Sequence, residues 1–189
     1  MKDIPPAEAL SVGALSDEEL VALAKDGRPE SLDELVSRHY ASAFRTALGI
    51  LRDEDGAADV AQDAFLKAFR GLEKFRGDSS FRTWLLTIAA NEARGVLRKV
   101  ARRKELDLDT AGPVASEEAN AEDFLENAEE SVRVRALLAQ LPDKQREAVT
   151  LRVFEGMSFK EVGAIIGSSE GAARVNFHHG IRRLKELLG

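Results

Sequence analysis

The 189-residue chain contains no cysteine, which excludes disulfides, thiolate nucleophiles and sulfur-ligated zinc sites. Aromatic residues are scarce at 6%, and Ala, Leu, Glu, Arg and Val dominate, so helix is favoured over sheet. No apolar run approaches the roughly 20 residues of a membrane span, so no membrane insertion is expected. Residues 1–13 lack a basic start followed by an apolar run, so no secretory signal is expected and the protein is assigned to the cytoplasm. There is also no Gly-rich phosphate loop, no cluster of metal-ligating residues and no nucleophile–base pair. Neither an enzyme activity nor a metal or other cofactor is expected.

What is present is unevenly charged. The net charge is −6, yet Phe81 to Lys104 holds seven Lys/Arg and one acid, Glu92. Glu105 to Glu130 then holds ten Asp/Glu and no Lys or Arg. A basic helix followed by an acidic spacer says more about partners than the total does.

Periodicity and punctuation predict an all-α fold of two small helical domains. Residues 1–15, with Pro5, Pro6 and Gly13, read as a flexible tail. Residues 16–104 hold four helices. Ser16 and Glu19 form a capping box for the first, which stops at Gly27. Pro29 opens a second that ends near Asp53–Gly56. A third covers about 57–75, and Ser79 or Ser80 caps a fourth from Phe81 to about Lys104. Residues 105–128, acidic and containing Gly112-Pro113, read as a flexible linker. Residues 129–189 hold four more helices: Val132–Leu141, then Lys144–Phe154 capped by Asp143, then Phe159–Ile166 capped by Ser158 with Glu161, then Glu170–Leu188.

The last two helices, separated by Gly167-Ser168-Ser169, have the helix-turn-helix pattern. At about 100° per residue, Ala173, Phe177, Gly180, Ile181, Leu184 and Leu188 share one side of the final helix. Gly171, Ala172, Val175, His178, His179 and Arg182 share the other, flanked by Arg174 and Asn176. That face has cations, polar donors and a methyl-bearing side chain, with Glu170 as its one acid at the start. It suits a major groove, with Val175 towards a thymine methyl and Arg174 or Arg182 towards guanine or phosphate. A His178–His179 metal site is disfavoured, because adjacent helical residues point about 100° apart.

Two stretches of the first domain ask for a partner. Asp59, Gln62, Asp63 and Lys67 lie on the polar side of the third helix, where they suit a basic helical surface or simply solvent. The loop Phe75-Arg76-Gly77-Asp78-Ser79-Ser80-Phe81 leads into Trp84 and the basic helix with Arg94 and Arg98. Polar loops beside aromatics and cations suit single-stranded bases, and Asn91 suits a base edge. Trp84 fits core packing equally well.

Together these residues resemble a known family. Asp59-Val60-Ala61-Gln62-Asp63-Ala64-Phe65-Leu66 and Phe75 through Asn91 are similar to region 2 of extracytoplasmic-function (ECF) sigma factors, in the sigma-70 superfamily. Leu141-Pro142-Asp143-Lys144-Gln145-Arg146-Glu147-Ala148-Val149, Met157–Gly163 and Ser169–Arg174 are similar to region 4. The resemblance implies partners: core RNA polymerase, through its beta and beta-prime subunits, promoter DNA and an anti-sigma factor. It implies that Asp59, Gln62, Asp63 and Phe65 dock on the polymerase clamp helices. It implies that Phe75, Arg76, Gly77, Asp78, Ser79, Ser80, Phe81, Trp84 and Asn91 capture an unpaired −10 base, with Arg94 and Arg98 on nearby phosphates. Arg174, Val175, His178, His179 and Arg182 would read the −35 element as duplex. Ala172-Ala173, Asn176 and His179 depart from the family pattern and remove cations from the DNA side, which implies weaker phosphate contacts or a different −35 sequence. The linker would thread the RNA exit path, where its acids would either imitate RNA or serve only to keep a spacer soluble. A stand-alone helix-turn-helix regulator is the competing reading, and it leaves the Asp59 and Asn91 blocks without a purpose.

Overall fold

A computed structural model describes residues 12–106 and 125–189, with side chains for 12–103 and 132–189. The tail and linker expectations for residues 1–11 and 107–124, including RNA imitation by the linker, lie outside the described residues. All regular elements among the described residues are helical.

Helix α1 (Asp17–Lys25) starts at the Ser16 capping box, complete in both directions, with three acids against the helix dipole. Residues 12–15 are not loose: they turn back, and Arg38 donates to the carbonyls of Val12, Gly13 and Leu15. Helix α2 (Pro29–Leu51) ends at Arg52, which adopts a left-handed conformation, φ 61°. Asp53 then caps α3 (Glu54–Arg70), its carboxylate accepting from Gly56 N at 2.8 Å. The third helix therefore begins earlier than expected, because the Asp-Glu-Asp run supplies both a cap and first-turn acids. It also stops earlier: Gly71 ends it, and Leu72–Lys74 forms a separate short 3-10 turn. Helix α4 (Phe81–Leu106) begins where Ser80 Oγ accepts from Thr83 N at 3.1 Å.

Helix α5 (Leu125–Ala139) begins before the expected Val132, so the segment between helices is shorter than the predicted 105–128 at both ends. Leu, Ala and Glu are strong helix formers, and acids favour a helix N-terminus. Helix α6 (Asp143–Val149) corrects a capping expectation. Pro142 stands at its N-cap, and Asp143 is drawn instead to Arg146 (2.7 Å) and Arg52 (3.3 Å), two full charges against one backbone N–H. From Thr150 to Phe154 the chain widens into a π-helical turn. Helix α7 (Phe159–Ile166) carries the Ser158–Glu161 capping box, and α8 (Glu170–Leu188) is capped by Ser169.

Leu20, Leu35, Ala47, Val60, Ala64, Phe81, Leu85 and Leu86 form the core of the first four helices. Val162, Ile165, Ile166, Leu151 and Ala173 continue that cluster into the second domain without a break. The two sets of helices are docked: α2 and α4 pack against α6, the π turn and α7.

Candidate nucleic-acid interface

Helix α8 is seated by two glycines. A Cβ on Gly163 would lie 2.9 Å from Ser168 O and 3.1 Å from Ser169 C, so only hydrogen lets α7 meet the turn this closely. A Cβ on Gly180 would lie 2.7 Å from Val149 and 3.2 Å from Gln145 O, so α8 also lies tight on α6. Ala173 and Gly180 are buried beneath the helix, as its apolar phase requires. The opposite phase is open: Arg174, Val175, His178, His179 and Arg182 are all exposed. Arg174 is held by Glu170 at 2.9 Å and by stacking 5.1 Å above the Phe159 ring. Arg152 lies over the same ring at 4.9 Å and adds a cation to this surface. No local sequence signal points to Arg152, because its placement comes from the π turn. Asn176 turns back to Ala172 O at 2.9 Å and is half-buried.

The loop before α4 is exposed from Arg76 to Ser80, with Gly77 at φ 77°. Arg76 pairs with Asp78 at 2.8 Å, and Lys25 donates to Phe75 O at 2.8 Å, which pins the start of the loop. Phe75 and Trp84 form a half-buried aromatic ledge, ring centroids 4.9 Å apart. Phe81, expected at the −10 surface, is 2% exposed and packs beneath that ledge and against His39, on the core side of the loop. Asn91 and Arg98 are exposed on α4. Arg94 is engaged elsewhere: it binds Glu147 at 2.5 Å and Ile165 O at 3.1 Å, both in the second domain.

On α3, Asp59, Gln62 and Asp63 form an exposed face. Phe65 is not part of it, being 5% exposed and packed against Phe69. Leu66, at 51% exposure, takes its place as the apolar member of that face. Its signal in the sequence is an apolar residue on the polar phase. Lys67 is exposed and ion-paired to Glu92 of α4.

These surfaces coincide with the segments that match known proteins. The Sigma-70 region 2 family matches residues 35–103, and the Sigma-70, region 4 family matches 131–184. The RNA polymerase sigma factor CarQ of Myxococcus xanthus is 35% identical over 172 residues, 87% of this chain and 93% of that protein. The chain belongs to the sigma-70 family, as an ECF sigma factor. The ECF RNA polymerase sigma-E factor of Escherichia coli K12 is 33% identical, with 85% of this chain and 87% of that protein covered. The solved structure of CnrH in complex with the cytosolic domain of CnrY has a TM-score of 0.68 at 28% identity, covering 91% of this chain and 96% of that one. Sigma factors act in promoter-specific transcription initiation, and that is the function of this protein. None of its helices among the described residues is long and apolar enough to cross a membrane.

Proposed function

We propose that this sigma factor binds core RNA polymerase through the α3 face and reads promoter DNA with two separate surfaces. Asp59, Gln62 and Asp63, with Leu66 beside them, dock on the beta-prime clamp helices, carboxylates towards a basic surface and one side chain supplying apolar contact. The 76–80 loop and Asn91 take an unpaired −10 base against the Phe75–Trp84 ledge, and Arg98 holds an adjacent phosphate. Arg174, Val175, His178, His179 and Arg182 enter the major groove of the −35 element, with Arg152 adding phosphate attraction. The observation that carries this reading is the simultaneous exposure of these five α8 residues on a helix seated by close contacts at Gly163 and Gly180. The protein works in the cytoplasm, where its DNA and polymerase are, and it is held by an anti-sigma partner. The likeness to CnrH, solved with the cytosolic domain of CnrY, supports that partner class. A stand-alone regulator is not favoured, because the family match spans region 2 as well as region 4.

The test is reconstitution with core RNA polymerase on a promoter library, followed by sequencing of transcripts. Start sites that share paired motifs at −10 and −35 are expected. Substituting Arg182 or Val175 should change the −35 preference alone, and substituting Asn91 the −10 preference alone. A variant at either place that shifts neither preference refutes the assignment of that surface.

A further inference from the structure

The groove-facing side of α8 has a centre and an edge. At about 100° per residue, Val175 and Arg182 stand in the middle of that side, and Arg174 stands about a quarter-turn away, on its edge. Phe159, the first residue of α7, and Arg152 of the π turn share that edge. Two guanidiniums from separate elements thus lie over one ring: Arg152 at 4.9 Å from the centre of Phe159, and Arg174 at 5.1 Å. Phe177 of α8 braces the ring edge-on, with centroids 5.5 Å apart. Phe159 is half-buried, so it is anchored below and open above.

Each cation is tied by one further contact. Arg152 donates to Met157 O at 2.6 Å, and Arg174 binds Glu170 at 2.9 Å. Among the described residues Arg152 has no carboxylate partner. A guanidinium over a ring uses its face there, and its N–H groups point sideways in its own plane. Each arginine has committed one of those donors, and the others are open. Two like charges held on one ring repel, and Glu170 offsets one of the two. A phosphate answers both needs, with full charge and several oxygens to accept from two guanidiniums. Phosphates also line the walls of the groove, where the edge of a recognition helix meets DNA, whereas base edges lie at its floor.

We infer that Arg152 and Arg174 clamp a backbone phosphate at the wall of the −35 groove, and that Phe159 is the positioning residue that carries both. The inference rests on the reading of α8 as the −35 helix and divides its labour. Arg174 grips the backbone, and base reading falls to Val175, His178, His179 and Arg182. The two arms of the clamp come from different elements, so one seated phosphate also fixes how α8 lies in the groove.

The test assembles full-length variants with core RNA polymerase and titrates them with promoter duplexes that carry a library of −35 sequences, at several salt concentrations. R152Q and R174Q should each weaken binding about tenfold, to every −35 sequence alike. Each should also lower the slope of log affinity against log salt by about 0.9, the share of one phosphate contact. Unchanged affinity in either variant overturns the clamp. A changed base preference in R174Q makes Arg174 a base reader and overturns it as well. F159L keeps an apolar side chain without the ring, and should weaken binding about two- to fivefold while leaving the ranking of sequences intact. In the R152Q/R174Q background it should add nothing. A ring that merely seats α8 would disturb the ranking and weaken the double variant further, and either result overturns the positioning role. F159Y restores the ring and should recover the parent's affinity, and failure to do so counts against that role too. R182Q tells the clamp from the reading beneath it. Altered base preference in R182Q, with R152Q and R174Q inert, removes the clamp alone. No change in R182Q removes the −35 reading of α8 and the clamp with it.

Discussion

Replacing Gly163 by alanine places a methyl group 2.9 Å from Ser168 O, 3.1 Å from Ser169 C and 3.2 Å from Glu170 N. All three are backbone atoms of the turn that enters α8, so no side chain can rotate out of the way. Overpacking of this kind costs up to about 3 kcal/mol, and the better helix propensity of Ala returns about 1 kcal/mol. A net loss of about 2 kcal/mol is expected, and with it a fall of roughly 10 °C in the melting of the second domain. Relief of the clash would swing α8 away from α7, so −35 duplex affinity should fall further than stability alone explains. G171A is the matched control, because its new Cβ meets nothing nearer than Ser169 Oγ at 4.0 Å. It should stabilise by up to about 1 kcal/mol. Differential scanning calorimetry of both variants, with −35 duplex titrations, reads these effects. G163A melting within about 2 °C of the parent would refute the claim that the turn admits only glycine.

Other expectations follow from single contacts. S158A removes the cap of α7 and should cost about 1 kcal/mol by chemical denaturation. D59K/D63K should weaken core polymerase binding mainly through a slower, salt-sensitive association rate, measured by stopped-flow, and leave duplex −35 binding unchanged. T150V replaces an unpaired buried hydroxyl with a methyl group and should leave stability equal or slightly raised, by about 1 kcal/mol at most. The Glu161 carboxyl lies below the ordinary glutamate range, chiefly because the Ser158 side chain donates to it, with further help from the Ser158 backbone, Thr83 and Arg82. A lowered folded value means that its contribution is present at neutral pH and is lost as pH falls through that value. Stability measured below the ordinary carboxylate range should therefore fall less steeply with pH in E161Q than in the parent.

Local chemistry made much of this protein legible before its structure. The capping boxes at Ser16 and Ser158, the stop at Gly167 and the apolar phase of α8 each rest on contacts within a few residues, and each stands in the structure as read. The same holds for the exposed α8 quintet, since one buried face of a helix dictates the other. Misreadings occurred where side-chain contacts override the local pattern. Asp143 looks like a cap, yet its carboxylate goes to Arg146 at 2.7 Å and to Arg52, far along the chain, at 3.3 Å. The family motif gives Phe65 and Phe81 contact roles, yet both lie on the apolar phase of their helices and are buried. The π turn at Thr150–Phe154, which brings Arg152 over Phe159 and Glu155 between two arginines, has no signature of its own. Sequence alone determined that the chain is helical, the capping boxes at Ser16 and Ser158 and the face that α8 presents, because those depend on neighbours along the chain. Tertiary structure alone decided that the two domains dock and which cations they share, because ion pairs such as Arg94–Glu147 join residues that only the fold brings within reach.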